Sequence, residues 1–100
     1  MRRRGKVDNN QGAIVAALRA LGCRVLSLAN VGGGVPDLLV LAPGKTLMLM
    51  EIKNDDMSPS KRKLRQSQLI WHREWRDVPY VVESVDEAIA AVNDATRKGR

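Results

Sequence analysis

The chain has no Phe, one Tyr and two Trp in 100 residues. A stacking platform for single-stranded bases is therefore poorly supplied. It has one cysteine, Cys23, which excludes an internal disulfide framework and suits a reducing cytoplasm. Cys23 follows Gly22 at the end of a predicted helix, where packing explains it better than catalysis. Long apolar runs are missing as well. The longest, Ala13 to Leu18, is far too short to cross a membrane. Nor does an apolar stretch of secretory length follow the basic start Met1-Arg2-Arg3-Arg4.

Acidic residues are the scarcer charge, 11 against 17 Lys and Arg, for a formal net charge of +6. The basic residues gather in three places: Arg2, Arg3, Arg4 and Lys6; Lys61, Arg62, Lys63 and Arg65; and Arg97, Lys98 and Arg100. Lys and Arg that neutralise phosphates release condensed counterions, so nucleic acid is the expected partner. A membrane surface fits less well, because no amphipathic helix with aromatic anchors accompanies the clusters. With few aromatics, backbone and shape recognition is expected rather than base readout.

Hydrophobic residues make up 44% of the chain, enough for one globular domain over residues 1–100 with one modest core. Asp8 or Asn9 reads as the N-cap of a helix to about Leu21, stopped by Gly22. Ile14, Ala17, Leu18 and Leu21 form its apolar stripe, which extends backwards to Asn10 and Gln11. Arg24 to Leu28 reads as a first strand. A second helix is predicted from about Gln66 to Trp75, with Leu64, Gln68, Trp71 and Trp75 on one stripe. Gln68 is then a polar residue on an apolar face, either partly exposed or aimed over the sheet. His72 is expected at the surface or against phosphate. Val78 to Glu83 reads as a fourth strand. Ser84 caps a last helix with Glu87 as its capping-box partner and Val85, Ala88, Ile89 and Val92 as its buried stripe.

The chemistry concentrates between the first and second helices. Asp37 opens a predicted strand, Leu38 to Ala42, and Glu51 closes the next, Thr46 to Met50. Ala42-Pro43-Gly44-Lys45 is a tight turn, in which Pro fixes φ and Gly accepts positive φ. A hairpin folded about Gly44 pairs residues whose numbers sum to 88, which sets Asp37 opposite Glu51. Opposed side chains lie roughly 4.5–5.5 Å apart at Cβ, and two carboxylates that close repel unless a cation sits between them. Glu51 and Lys53 are two apart on a strand and share a face. Asp37, Glu51 and Lys53 thus form a candidate divalent-metal site with a lysine beside it. Both strands are apolar on both faces, as in a covered central sheet. Gly32, Gly33 and Gly34 precede Asp37, where the backbone either turns sharply, lets a ligand approach closely or simply flexes.

The α-β-β-β-α-β order with Pro36-Asp37 and Glu51-Ile52-Lys53 resembles the PD-(D/E)XK nuclease superfamily. Gly34-Val35-Pro36-Asp37-Leu38, Glu51-Ile52-Lys53 and Gln68-Leu69-Ile70-Trp71-His72 resemble, more narrowly, the VRR-NUC family in its minimal stand-alone phage and bacterial form. The likeness covers about residues 7 to 93. It implies an α/β fold with a restriction-endonuclease-like core, α-β-β-β-α-β-α, and a central mixed sheet flanked by helices. It also implies Asp37, Glu51 and the carbonyl of Ile52 as metal ligands, Lys53 as catalytic lysine and Gln68 as a supporting residue. Members usually carry a glutamate on the first helix; here Gln11 or Asn10 takes that place, or a second metal site is weakened.

The expectation is a Mg²⁺-dependent endonuclease, with Mn²⁺ a substitute because hard oxygen ligands suit both. The resemblance to Holliday-junction resolvases implies a homodimer cutting branched DNA in the cytoplasm. A flap or nicking nuclease and a catalytically weakened junction-binding module are the competing readings.

Overall fold

A computed structural model describes residues 3–53 and 65–98, with side chains from residue 10 onward. Among these the elements run α1 (Arg3–Ala20), β1 (Arg24–Ser27), β2 (Leu38–Leu41), β3 (Leu47–Ile52), α2 (Gln66–Glu74), β4 (Tyr80–Val82) and α3 (Val85–Lys98). This is the order expected from the sequence.

Helix α1 begins at Arg3, so Asp8 and Asn9 lie inside it and not at its cap. Arg and Lys are good helix formers, and the roughly 1 kcal/mol penalty at each of Gly5 and Gly12 does not stop the helix. Its far end is closed by a Schellman motif: Cys23 N–H donates to Leu18 C=O at 3.0 Å and Gly22 N–H to Arg19 C=O at 2.9 Å. Gly22 takes φ +92° to make that turn. Leu21, expected on the buried stripe, falls at the cap and is 45% exposed.

The four strands lie in the order β1-β2-β3-β4. The first two pairings are antiparallel and the third is parallel, because α2 carries the chain across between β3 and β4. The central register is Leu38↔Met50, Leu39↔Leu49, Val40↔Met48 and Leu41↔Leu47, each pair summing to 88. Ala42 N–H donates to Thr46 C=O at 2.8 Å and Lys45 N–H to Ala42 C=O at 3.0 Å. The positive φ of this turn falls on Lys45 (+70°), not on Gly44. A three-residue hairpin loop puts its left-handed residue last, after the position that Pro43 fixes.

Helices α1 and α3 cover one face of the sheet. Leu38, Val40, Met48, Met50 and Val82 meet Ile14, Leu18, Ala88, Ala91, Val92 and Ala95 in a single core. Each large aliphatic buried there contributes about 1.5–3 kcal/mol. Helix α3 starts on Ser84, whose Oγ accepts the Glu87 N–H at 3.1 Å, while Glu87 Oε1 accepts the Glu83 N–H at 2.7 Å. The Tyr80 hydroxyl donates to Asp94 at 2.7 Å and ties α3 to β4.

The other face corrects the expectation of a sheet covered on both sides. Leu26, Leu41, Leu47 and Val81 stand exposed there. Helix α2 has nine residues, about 14 Å at 1.5 Å per residue, and its bonds to the sheet fall at the Glu51 end.

Candidate active site

The site is assembled where β2 begins and β3 ends. Pro36 is fully buried and anchors the chain just before Asp37. The Asp37 carbonyl accepts the Leu28 N–H at 2.8 Å, which closes the glycine loop onto the end of β1. Asp37 Oδ2 accepts the Ile52 N–H at 2.8 Å, so its rotamer is set by the strand opposite. One step beyond the Leu38↔Met50 pair, Asp37 faces Glu51.

Glu51 is only 1% exposed. It projects from the face away from the main core, where its Oε2 accepts Gln68 Nε2 at 2.8 Å. Lys53 Nζ lies 3.6 Å from the same oxygen. Burial, and then the charge of Asp37, push the Glu51 carboxyl up to about 7, while Lys53 pulls it the other way. Its Oε1 is buried and meets no donor among the described residues. Two carboxylates within reach of a shared proton, one with an unsatisfied buried oxygen, suit a hard divalent cation. Protonation is the alternative that relieves them in its absence. No third carboxylate, histidine or cysteine joins them among the described residues. Among the described residues, completing a coordination shell would fall to main-chain carbonyl and water oxygens.

Gln68 connects the remaining parts. Its Oε1 accepts both Lys53 Nζ at 3.1 Å and the Arg65 N–H at 2.8 Å, and its Nε2 serves Glu51. One side chain thus caps the start of its own helix and orients the two charged groups of β3. Lys53 is fixed along its backbone too: its N–H donates to Val82 C=O at 2.8 Å and its C=O accepts Asn10 Nδ2 at 3.3 Å.

Asp37, Glu51, Ile52, Lys53 and Gln68 are therefore brought together. Of the two α1 candidates, Asn10 makes the bond to this cluster; Gln11 is half-buried and has no hydrogen-bond partner among the described residues. His72 is buried, not at the surface, and its Nε2 has no partner among the described residues. The signal for this was available, since His72 lies four residues after Gln68 and shares its helix face. Arg65 is exposed. Arg3, Arg4 and Lys6 fall on the opening turns of α1, outside the described side chains. Arg2, Lys61, Arg62 and Lys63 lie outside the described residues. A groove of about 820 Å³ along the β1 edge, beside Leu26, Leu39, Leu41 and Leu47, is away from the carboxylates.

A mixed four-stranded sheet, helices before and after it, and an Asp opposite Glu-x-Lys at the sheet's end define the PD-(D/E)XK type of nuclease fold. The comparison with solved structures agrees. The chain is similar to one described as a VRR_NUC domain, at 26% identity and a TM-score of 0.63, over 88% of this chain and 95% of that one. No family model and no curated protein matches. Fold and motifs together support reading the chain as a VRR-NUC family member, which implies a nuclease of the PD-(D/E)XK type.

Proposed function

We propose that this protein is a Mg²⁺-dependent, structure-specific endonuclease that hydrolyses phosphodiester bonds in branched DNA such as Holliday junctions. The observation that carries the reading is the buried Glu51, opposed to Asp37, with an unsatisfied oxygen and a lysine at 3.6 Å. Asp37, Glu51 and the Ile52 carbonyl would hold the ion. A divalent cation held there supplies an acidified water and neutralises charge on the scissile phosphate. Lys53 places its ammonium on the same face, where it stabilises charge developing on the phosphate in a site with little water to screen it. Gln68 keeps that ammonium and the Glu51 carboxylate in one geometry. Asn10 holds the Lys53 backbone, in the region where the resemblance places a first-helix acid.

Affinity for DNA would come mainly from the basic clusters. Neutralising Lys61, Arg62 and Lys63 together should shallow the salt dependence of binding by about 0.9 per lost phosphate contact. The working unit is a homodimer, because two incisions in a four-way junction are matched by two sites related by a C2 axis. The open aliphatic face at Leu26, Leu41 and Leu47 supports a second copy as its cover. Light scattering should give twice the 11.1 kDa chain mass.

The deciding assay is cleavage of labelled four-way junction, flap and plain duplex DNA, with Mg²⁺ and with EDTA. Paired nicks in the junction, lost with EDTA, are expected. Preferred cutting of flap or nicked duplex by a monomer would replace the resolvase reading. Binding to junctions without cleavage at any Mg²⁺ or Mn²⁺ concentration would leave only the binding module.

A further inference from the structure

Among the described residues, helix α2 contributes no apolar side chain to the main core, and its Trp71 is only half-buried. Its buried residues are Gln68 and His72, while Leu69, Ile70 and Trp75 are exposed. Something other than hydrophobic packing must set how close it approaches the Asp37 strand.

Three consecutive glycines lead into that strand with φ of +77° (Gly32), +67° (Gly33) and +86° (Gly34). All three use the left-handed region that favours glycine, but their surroundings differ. A Cβ built on Gly32 or Gly33 meets nothing within 4 Å. A Cβ built on Gly34 runs into the backbone of the first turn of α2: the Ser67 carbonyl oxygen, its carbon at 2.6 Å and the Gln68 nitrogen at 3.1 Å. Helix backbone cannot swing aside as a side-chain tip does. The contact is one residue from Gln68 on one side and three residues from Asp37 on the other, with the buried Pro36 between.

We infer that Gly34 is a positioning residue whose bare backbone seats the first turn of α2 and so holds Gln68 between Lys53 and Glu51. Any side chain at residue 34 drives the helix outward. The 2.8 Å bond from Gln68 to Glu51 and the 3.1 Å bond from Lys53 to Gln68 would then be lost. Gly32 and Gly33 serve the turn alone. Gly34 acts only through Gln68, and the catalytic half of its test rests on the nuclease reading.

The test compares Gly34→Ala, Gly33→Ala, Gln68→Ala and the Gly34→Ala/Gln68→Ala double variant in the full chain. The first readout is independent of cleavage: the side-chain amide resonance of Gln68, identified by its absence from Gln68→Ala. It should be protected from exchange in the wild type and in Gly33→Ala, and exposed in Gly34→Ala. The second is junction cleavage with Mg²⁺. Gly34→Ala should lower kcat about 10²-fold with KM little changed, the scale expected of a misplacement near 1 Å. Gln68→Ala should match it, the double variant should fall no further, and Gly33→Ala should stay near wild type.

A protected Gln68 amide in Gly34→Ala overturns the inference. So does a double variant whose loss is the product of the two single losses. A Gly34→Ala chain that does not fold overturns it as well, because the contact would then hold the whole domain and not one helix. If the wild type cleaves no DNA, the proposed function fails and the amide readout alone decides the role of Gly34.

Discussion

Helix α3 meets the sheet through Ala88, Ala91, Val92 and Ala95, whereas helix α2 turns Gln68 and His72 inward and leaves Leu69, Ile70 and Trp75 in water. The small alanines let α3 approach the strands closely, and its attraction is non-directional, so modest shifts cost little. Helix α2 is held by hydrogen bonds of about 3 Å, which lose their strength when angle or distance drifts. The first mode supplies stability and the second supplies geometry. The division follows the sheet: one face holds the aliphatic core, and the end of the other holds Asp37, Glu51 and Lys53. Stability from the core thereby carries a buried pair of carboxylates that by itself opposes folding.

The largest effect is expected where that opposition is removed. Glu51→Gln should lower cleavage by at least about 10³-fold, a loss near 4 kcal/mol in transition-state stabilisation, while the fold persists. It should also make the metal-free protein more stable at pH 8. The Glu51 carboxyl is raised from 4.5 to about 7 by folding, chiefly by burial. Between those values the folded chain binds a proton that the unfolded chain has released. Stability from this group is therefore greatest at low pH and falls as pH rises through 7. Deleting the charge should recover about 1–3 kcal/mol at pH 8, less than the full shift because Lys53 loses its ion pair. Urea midpoints in EDTA measure this, and an unchanged midpoint at pH 8 would mean that Glu51 ionises without cost.

Exchanging the two docking modes separates them further. Ala88 is fully buried, so Ala88→Gln puts on α3 the residue type that α2 uses. It should cost about 3 kcal/mol through overpacking and an unpartnered amide, a drop in Tm of about 12–24 °C for a domain of this size. Gln68→Met performs the reverse exchange at similar volume. Cleavage should fall about 10²-fold as Lys53 and Glu51 lose their shared partner, while stability falls by about 1–2 kcal/mol, less than in Ala88→Gln. Comparable losses of stability in both variants would erase the distinction between the helices.

Most of the first mode was legible in the sequence. Ile14 and Leu18, the alternation of Leu38, Val40, Met48 and Met50, and the Ser84–Glu87 cap all follow periods or spacings that the backbone imposes. The hairpin register was legible as well, since a short turn centred on Gly44 leaves little freedom between Leu41 and Leu47. That register set Asp37 opposite Glu51 without further information. The second mode was much less legible. A 3.6-residue stripe assumes that the inward face is apolar, so Trp71 and Trp75 were assigned to it, whereas Trp75 is 52% exposed and stacks on Trp71 with centroids 4.7 Å apart. The close approach at Gly34 depends on chain segments more than thirty residues apart, and local spacing carries no record of that. The open face at Leu47 was missed for a related reason: apolar alternation on both sides reports what a strand tolerates, not what covers it.

The smallest expected effect concerns His72, the second inward residue of α2. Burial lowers its pKa below 6.5, and the Lys53 charge acts in the same direction, while Asp77 opposes them. Below pH 6.5 the unfolded chain binds a proton that the folded chain refuses, so His72 makes stability rise with pH up to that point and leaves it flat above. Glu51 slopes the other way across an overlapping window, and in the wild type the two partly cancel. The His72 contribution should therefore be visible only after Glu51 is neutralised. In a Glu51→Gln background the urea midpoint should climb between pH 5 and 6.5, and adding His72→Gln should flatten that climb. If the climb survives the second substitution, His72 titrates as freely in the folded chain as in the unfolded one. Helix α2 would then be open to water on the side that carries Gln68, and polar docking would no longer describe it.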